Sequence, residues 1–334
     1  KGMNNLVLNC DAHDNYDGYS EGDSGNVDGF GGHANKETST GNIFRGCRAW
    51  NNGDDGFDLI NCYASYIIEY CWSFRNGYKP HSIESSGGNG AGFKSGGYGM
   101  GDIKKVPNPI PQHTVRYCLA YYNRQQGFYS NHHLGGLIFD NNTAYKNPSN
   151  YNMLNRKSSN EAVDVPGYGH IIKNNLSLSP RNSGGFPQHL INVDNTLSEI
   201  KNNSFAPNDL NLSESDFESL NEQELMGSRK SDGSLPDINF LRLTNHANFR
   251  FSGMGCFINE EAVDYSWIQE PAIVLENGVA RIVGENSRSF NKFYVNGEEV
   301  SIENGIVDLT SMSGELNLKA ISENGAVTTL IINK

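Results

Sequence analysis

Four aspartates and one lysine are the residues of this chain whose type and spacing best fit a chemical site. The acids are Asp28, in "GNVDGFGG", and Asp54, Asp55 and Asp58, in "NNGDDGFDL". Clustered carboxylates repel one another unless a cation lies among them, and Ca²⁺ accepts irregular carboxylate geometry better than Mg²⁺ does. The acids therefore predict either a calcium site or a solvated turn rich in aspartate and glycine.

Lys94 stands alone in the glycine-rich stretch "GNGAGFKSGG" (88–97). A P-loop requires adjacent Gly and Lys, but Phe93 precedes Lys94 here. The dinucleotide fingerprint fails as well, because a third glycine and the surrounding βαβ pattern are missing. A flexible linker stays open as an interpretation, although repeats continue on both sides of the stretch. We expect the loop to lie on the face that carries the acids, with glycines that leave room for a ligand beside Lys94.

Internal repetition indicates the elements that must position these residues. The segments "NCDAHDN", "GCRAWNN", "YCWSFRN", "YCLAYYN" and "NNTAYKN" share a Cys or Asn followed five positions later by Asn. With two weaker repeats, the marker positions are Cys10, Cys47, Cys71, Cys118, Asn142, Asn175 and Asn203. The shortest spacing, 24 residues from Cys47 to Cys71, suits one coil of a parallel β-helix. Buried asparagines would then form ladders from coil to coil, and marker cysteines would be small core residues rather than disulfides or metal ligands.

The repeat pattern changes after residue 206. Residues 213–237 predict one or two short helices that cap the open end of the solenoid. From 273 onward, Asn-Gly pairs between alternating apolar runs predict β-hairpins. We therefore predict a β-helix domain at 1–268 with a C-terminal cap, and a small antiparallel, sandwich-like β domain at 269–334.

Composition restricts the partners of the chain. A formal net charge of −12 over 334 residues argues against nucleic acid. An acidic polymer would need a local cation or a bound metal. No run of about 18 apolar residues predicts a membrane span. No signal peptide opens the chain. We expect a bacterial protein that has lost its export signal and is secreted, periplasmic or located at the cell surface. We also expect it to be a monomer.

The motifs "NVDGF", "NNGDDGFDL" and "GAGFKSGG", in this order, resemble the signature of polysaccharide lyase family 9, the calcium-dependent pectate and rhamnogalacturonan lyases. The resemblance spans about residues 5–245, including "DFESL" and "DGSLP". It implies a right-handed parallel β-helix in which Asp28, Asp54, Asp55 and Asp58 bind calcium and Lys94 is the catalytic base. Family members usually have several coils before the first Asp motif, so N-terminal coils are expected to be missing here.

The activity implied by the resemblance is β-elimination at galacturonate in an acidic plant cell-wall polysaccharide. A neutral base removes the proton at C5, and calcium spreads the charge of the enolate. A nearby divalent cation and partial burial would lower the pKa of Lys94 from its ordinary value near 10.4. The abundant aromatics, which can pack against the methyl group of rhamnose, favour rhamnogalacturonan I over polygalacturonate.

Further polar residues are candidates to bind the polysaccharide. Arginines would bind uronate carboxylates, and residues of "GFYSNHHLGG" would line the cleft and supply a proton. The candidates are Arg48, Asn89, Arg116, Arg124, Asn131 and His132, with Arg45, Tyr129 and His133 as weaker ones.

Two other functions stay open. An inverting hydrolase of the polygalacturonase type would use the aspartates as general acid and base without metal, but the expected "GHG" motif is absent from the sequence. A non-catalytic calcium-dependent pectin-binding solenoid would need the acids and not Lys94.

Overall fold

The computed structural model describes residues 2–19, 24–80, 82–83, 88–99, 106–181, 188–258, 272–283, 290–303, 306–322 and 327–334. The chain divides into two compact units, residues 1–258 and 259–334. The predicted domain boundary at 268 falls within 259–271, outside the described residues, and stays a prediction.

The first unit is a parallel β-helix, which confirms the fold class. Each coil adds one short strand to each of three parallel sheets. Sheet A contains β1 (Leu6–Leu8), β4 (Asn42–Arg45), β7 (Tyr66–Glu69), β10 (Thr114–Arg116), β13 (Ile138–Asp140), β18 (Ile171–Lys173) and β21 (Glu199–Lys201). Sheet B contains β2 (Asp11–His13), β5 (Arg48–Trp50), β8 (Trp72–Phe74), β11 (Leu119–Tyr121), β14 (Thr143–Tyr145) and β19 (Leu176–Leu178). Sheet C contains β3 (Phe30–Gly31), β6 (Phe57–Asp58), β9 (Phe93–Lys94), β12 (Phe128–Tyr129), β15 (Tyr151–Asn152) and β20 (Leu190–Ile191).

Asparagine ladders join successive coils, as the repeat predicts. One ladder uses the asparagine five positions after each marker. The side chain of Asn52 donates to Asn76 (2.9 Å), Asn76 to Asn123 (2.9 Å) and Asn123 to Asn147 (3.1 Å). A second ladder joins the markers Asn142, Asn175 and Asn203. Because every amide in the middle of a ladder has a partner, these buried polar groups are satisfied without water.

The six cysteines are free thiols, as predicted. Cys47, Cys71 and Cys118 are buried at marker positions, and Cys47 N donates to Cys71 Sγ. Cys10, at the corresponding position of the first coil, is exposed. These cysteines act as small core residues wherever a coil covers them on both sides.

A stack of aromatic rings fills the interior beside sheet C. The rings of Phe30, Phe57, Phe93, Phe128 and Tyr151 follow one another with centroids 4.9–5.0 Å apart. Each ring belongs to the first residue of a two-residue strand. Side chains alternate across a strand, so the second residue of every strand faces away from the core.

The segment after the last coil covers the outer face of sheet B. It contains two short 3₁₀ helices and one α-helix: Glu214–Asp216, Glu222–Met226 and α1 (Asn245–Arg250). Phe217, Leu225 and Phe240 from this segment pack with outward residues of sheet B, such as Trp72 and Tyr121. The prediction of a cap on the open end is therefore wrong, because the large apolar side chains on the outer face of sheet B need the cover instead.

The remaining elements are antiparallel. A hairpin of β16 (Asn155–Ser158) and β17 (Glu161–Val165) is inserted between the fifth and sixth coils. The second unit has a three-stranded and a four-stranded sheet around Phe293 and Leu318. Its strands are β22 (Ala272–Glu276), β23 (Val279–Val283), β24 (Phe290–Val295), β25 (Glu298–Val300), β26 (Ile306–Asp308), β27 (Glu315–Ser322) and β28 (Val327–Asn333). Within the described part of the chain, no helix has the length and apolar character needed to cross a membrane.

Candidate active site

The outward residues of sheet C form a column that carries the candidate chemistry. Gly31 pairs with Asp58, Asp58 with Lys94, and Lys94 with Tyr129. Paired residues in neighbouring parallel strands lie about 4.8 Å apart and point to the same side. The strands of three successive coils therefore place an acid, a base and a phenol side by side.

Backbone N–H groups hold one oxygen of each of three aspartates. Asp28 Oδ1 accepts from Asp55 N (3.1 Å), Asp55 Oδ1 from Ala91 N (2.7 Å) and Asp58 Oδ1 from Ile60 N (2.7 Å). Asp28 lies in the first coil, directly beside Asp55 in the second, which is one of the two neighbours, Asp54 or Asp55, that the repeat spacing allows. One carboxylate oxygen from each of these three residues lies within 4.8 Å of the others.

Asp54 is placed differently. Its Oδ1 accepts hydrogen bonds from the backbone N–H groups of Asn89 and Gly90. It is buried beside the other acids and lies outside the group of three. In this structure its carboxylate fixes the start of the loop that carries Lys94.

The Lys94 ammonium lies among the acids. Lys94 Nζ is 3.0 Å from Asp58 Oδ2, to which it donates a hydrogen bond, and 3.0 Å from Asp55 Oδ2. Lys94 is 8% exposed and Asp55 is fully buried. Asp55 Oδ2 accepts no well-directed hydrogen bond from the described residues, despite its closeness to the ammonium. The two ion pairs therefore hold a cationic lysine where the resemblance requires a base.

Burial and mutual repulsion perturb the protonation of the group. Burial, with the charges of Asp58 and Asp54, raises the pKa of Asp28 from 3.8 to about 7. Burial also raises the pKa of Asp54, and it raises that of Asp55 well above its ordinary value. Burial alone would lower the pKa of Lys94, but Asp55 and Asp58 outweigh it and hold that pKa above the usual range. One lysine thus does not fully compensate the acids.

The acids fit a hard divalent cation. All the side-chain atoms of this group that could bind a metal are carboxylate oxygens, which are the ligands that Ca²⁺ prefers. Asp55 Oδ2 is a buried acceptor that lies 3.0 Å from the Lys94 ammonium but accepts no well-directed hydrogen bond from the described residues. A metal bound by Asp28, Asp55 and Asp58 would supply the positive charge that one lysine does not provide for three carboxylates.

The glycines around Lys94 have a packing role that the sequence did not reveal. A Cβ on Gly92 would lie 2.7 Å from both Asn123 Nδ2 and Gly127 O of the next coil. Gly97 has a φ of +93°, and a Cβ there would lie 2.0 Å from Asn131 O. These glycines are required because neighbouring coils approach closely, and the expectation that glycines leave room for a ligand beside Lys94 stays a prediction.

Two predicted substrate ligands support the loop that holds Lys94. Arg124 donates through Nη1 to the carbonyls of Gly88 (2.8 Å) and Asn89 (3.2 Å). The Asn89 side chain is exposed beside Asp54. On the other side of the loop, Asn131 Nδ2 donates to Gly96 O (2.8 Å). Arg124, Asn89 and Asn131 therefore surround the site, and their contact with substrate stays a prediction.

Arg48 and Arg116 lie on other sheets and do not join the site. Arg48, on sheet B, is buried and donates to both oxygens of Asp11 and to the carbonyls of Leu225 and Gly227. Arg116, on sheet A, pairs with the buried Glu69. Their guanidinium groups stabilise neighbouring coils and the cover of sheet B, so the structure gives them no place beside Lys94.

His132 lies next to the column, in contact with Tyr129 and with Asp164, a residue that was not predicted from the sequence. His132 Nε2 is 2.9 Å from Tyr129 Oη, and His132 Nδ1 is 2.6 Å from Asp164 Oδ1. Asp164 pairs with Arg156 across the β16–β17 hairpin. The 33-residue spacing between Asn142 and Asn175, longer than one coil, is the signal in the sequence that points to this insertion. His133, by contrast, is fully buried and binds Pro111 O.

Comparison with known proteins identifies the family. The model of the Pel9A-like, right-handed β-helix region matches residues 1–203, which is more than half of the chain. The chain belongs to polysaccharide lyase family 9. A second model, rhamnogalacturonan lyase-like C-terminal, matches residues 194–329. The right-handed β-helix expected from the resemblance is thereby confirmed.

Family 9 relatives include curated enzymes and solved structures. Pectate lyase L of Dickeya chrysanthemi is 35% identical over 79% of this chain and 54% of its own length. A solved structure titled rhamnogalacturonan lyase is 55% identical with a TM-score of 0.71, covering 77% of this chain and 61% of the other. The crystal structure of pectate lyase Pel9A is 35% identical to this chain, with a TM-score of 0.54. The match covers 73% of this chain and 53% of the other. The chain thus spans little more than half the length of these relatives.

Proposed function

We propose that this chain is a calcium-dependent polysaccharide lyase that cleaves the pectin backbone by β-elimination at galacturonate. The single observation that carries the proposal is the position of Lys94 in the sheet C column, with Nζ 3.0 Å from both Asp55 Oδ2 and Asp58 Oδ2. A hydrolase would use two carboxylic acids and would have no need of a buried lysine. Membership of a lyase family supports elimination as well.

The charge of the acids decides whether Lys94 acts as the base. Asp55 and Asp58 hold the lysine protonated, and a protonated amine accepts no proton. A calcium ion at Asp28, Asp55 and Asp58 would offset their charge and stabilise the negative charge that develops on the uronate carboxylate. If calcium bound Asp55 and Asp58, their charges would no longer raise the pKa of Lys94. Burial would then decide that pKa, and burial lowers it.

The chain's own residues then have distinct roles. Asp28, Asp55 and Asp58 provide ligands, and Asp54 holds the loop through Asn89 and Gly90. Lys94 Nζ takes the C5 proton, the C5–H electron pair forms the C4–C5 double bond, and the C4–O4 bond breaks. The partly exposed faces of Arg124, Asn131 and His132 are the candidates to contact neighbouring sugars.

For the substrate, we propose the rhamnogalacturonan I backbone rather than polygalacturonate. The solved structure titled rhamnogalacturonan lyase shares 55% identity with this chain, against 35% for the pectate lyases. Both polymers contain the galacturonate on which the chemistry acts, so the choice lies in the neighbouring sugar. We extend the proposal to a secreted or surface-located enzyme, because a polysaccharide of plant cell walls is encountered outside the cell.

One assay tests the function. The protein is incubated with rhamnogalacturonan I and with polygalacturonate, each with calcium or with a chelator, and the ultraviolet absorbance of the conjugated C4–C5 double bond is followed. We expect absorbance to rise with rhamnogalacturonan I and calcium, and to stay flat with the chelator. Cleavage that survives chelation without the new absorbance would indicate hydrolysis and overturn the proposal.

A further inference from the structure

Tyr129 is the nearest neighbour of Lys94 along the sheet C column on the side away from the acids. β12 pairs with β9 so that Phe128 lies opposite Phe93 and Tyr129 opposite Lys94. The two phenylalanine rings stack in the core 5.0 Å apart, which fixes the register of the outward pair. The phenol and the ammonium therefore leave adjacent strands on the same side.

The phenol belongs to a hydrogen-bonded chain that reaches solvent. Tyr129 Oη is 2.9 Å from His132 Nε2, and His132 Nδ1 is 2.6 Å from Asp164 Oδ1. The side chains of His132 and Asp164 are 29% and 49% exposed. A carboxylate on one ring nitrogen fixes the orientation of the ring and directs the other nitrogen towards the phenol. This series of hydrogen-bonded side chains can thus carry a proton from water to the phenol.

Several elements hold this chain in place. The β16–β17 hairpin supplies Asp164, which pairs with Arg156 across the two strands. Arg156 is buried, with Nη1 bound to Tyr98 O (2.9 Å) and Nε without a partner among the described residues. His132 itself has a φ of +57°, a strained conformation for this residue. The hairpin thus supplies the carboxylate that contacts His132, and the turn places His132 beside the phenol.

We propose that Tyr129 is the catalytic residue that protonates the leaving oxygen, with His132 and Asp164 as its positioning residues. This inference rests on the proposed lyase function. As the C4–O4 bond breaks, O4 keeps the bonding electron pair and takes the proton of Tyr129. The phenolate takes a proton from His132 Nε2, and the imidazole regains one from water. Lys94 returns the C5 proton to solvent, so the cycle balances.

The electrostatics of the phenol agree with this role. Burial, with the charge of Asp164, raises the pKa of Tyr129 to about 12, although Lys94 and Arg156 oppose the rise. The phenol is therefore protonated in neutral solution, which is the form that an acid requires. In the proposed elimination, Lys94 accepts the proton from C5 and Tyr129 donates a proton to O4.

The test compares leaving groups in wild type, Tyr129→Phe and a matched control, Tyr145→Phe, which removes a phenol on sheet B. One substrate is the pectic polymer, whose O4 needs a proton. The other is a galacturonoside with a nitrophenyl ether at O4, whose leaving phenolate needs none. For Tyr129→Phe we expect kcat on the polymer to fall roughly 10²–10⁴-fold and kcat on the ether to change far less. Tyr145→Phe should retain activity on both.

Each outcome decides a different claim. An equal loss on both substrates, or no loss on either, would overturn the role of Tyr129. Lys94→Ala should lose both reactions, since C5 proton removal is common to them. If wild type forms no unsaturated product from either substrate, the proposed function fails as well, and that result is distinct from the pattern in the Tyr129 variant.

The positioning residues are tested with the same pair of substrates. His132→Gln and Asp164→Asn should lower kcat on the polymer by less than Tyr129→Phe does, and should spare the nitrophenyl ether. A purely structural role would lower both activities in parallel. Parallel losses in both variants would therefore limit the acid to Tyr129 alone and overturn the proposed chain.

Discussion

Lys94 is a residue whose charge state is set by its neighbours rather than by its own chemistry. Asp55 and Asp58 keep its pKa above the usual range, and burial works in the opposite direction. A base in this position therefore depends on whatever neutralises those two acids. In the proposed mechanism, the contacts that hold the lysine in place also keep it protonated until a cation binds the acids.

Replacing Lys94 should separate base catalysis from charge. Lys94→Ala should lower kcat roughly 10²–10⁴-fold, which is the usual contribution of a general base. Lys94→Arg should be as inactive as Lys94→Ala, since a guanidinium stays protonated at all working pH values. The measurement is initial rate with saturating calcium, with Lys173→Ala on sheet A as a surface control. A Lys94→Arg enzyme of near normal activity would show that the charge, and not a proton transfer, is what matters.

Asp28 predicts how stability depends on pH in chelator. Its pKa is raised from 3.8 to about 7 in the fold, so the folded state holds this proton more tightly than the unfolded state. The contribution of Asp28 to the free energy of unfolding should therefore be largest below about pH 4. It should fall as the pH rises to about 7. Asp28→Asn should show a smaller fall, by about 1–2 kcal/mol, because the partly exposed carboxyl is screened by solvent.

The measurement is chemical denaturation across this pH range for wild type and Asp28→Asn, with exposed Asp237→Asn as the control. Identical slopes for wild type and Asp28→Asn would show that Asp28 carries no such proton.

Residue-level prediction from the sequence succeeds where the repeat fixes the neighbour. The spacing between the first two acidic motifs, close to one coil, predicts that Asp28 lies beside Asp54 or Asp55, and the hydrogen bond from Asp55 N to Asp28 Oδ1 shows that Asp55 is the neighbour. Prediction fails for Arg48, because no local pattern shows that Asp11 and two carbonyls of the 222–227 segment bind the guanidinium. Asp164 escapes prediction for the same reason: its contact with His132 spans 32 residues and depends on how an inserted hairpin folds back.

At the scale of elements, the asparagine ladder is the feature that ties coils together. Asn76 N and Nδ2 donate to Asn123 Oδ1, while Asn76 Oδ1 accepts from Asn52. Loss of the Asn76 side chain would remove the acceptor of Asn52 N and one hydrogen bond each from the buried side-chain amides of Asn52 and Asn123. The sequence predicts the ladder because every coil repeats the same polar position. It does not predict the cover of sheet B, which depends on matching one apolar face to a distant irregular segment.

Asn76→Ala should therefore lower the free energy of unfolding by about 1–3 kcal/mol, the cost of leaving buried polar groups unsatisfied. Asn15→Ala removes the exposed first member of the same ladder and should cost much less. Urea denaturation of both variants checks the difference. Equal losses would mean that the buried ladder contributes no more than a surface hydrogen bond.

At the scale of the whole molecule, the acidic group is a local excess of negative charge within a chain that is already acidic. Binding of calcium should relieve that excess and stabilise the fold. At a free concentration of 100 times Kd, the linkage predicts about 2.7 kcal/mol. The midpoint of thermal unfolding should rise with calcium and much less with magnesium, which demands a stricter geometry. Asp55→Asn should reduce the calcium response, and an unchanged response in that variant would place the ion elsewhere.

The central claim is that the acids, the cation they bind and Lys94 together eliminate rather than hydrolyse. The most direct measurement is the product formed from rhamnogalacturonan I in water labelled with heavy oxygen, in the presence of calcium and analysed by mass spectrometry. The account predicts an unsaturated galacturonate at the new non-reducing end, with no labelled oxygen introduced by cleavage, and a rate of product formation roughly 10²–10⁴-fold lower for Lys94→Ala. A saturated product that carries one labelled oxygen at the reducing end would show hydrolysis and contradict the account.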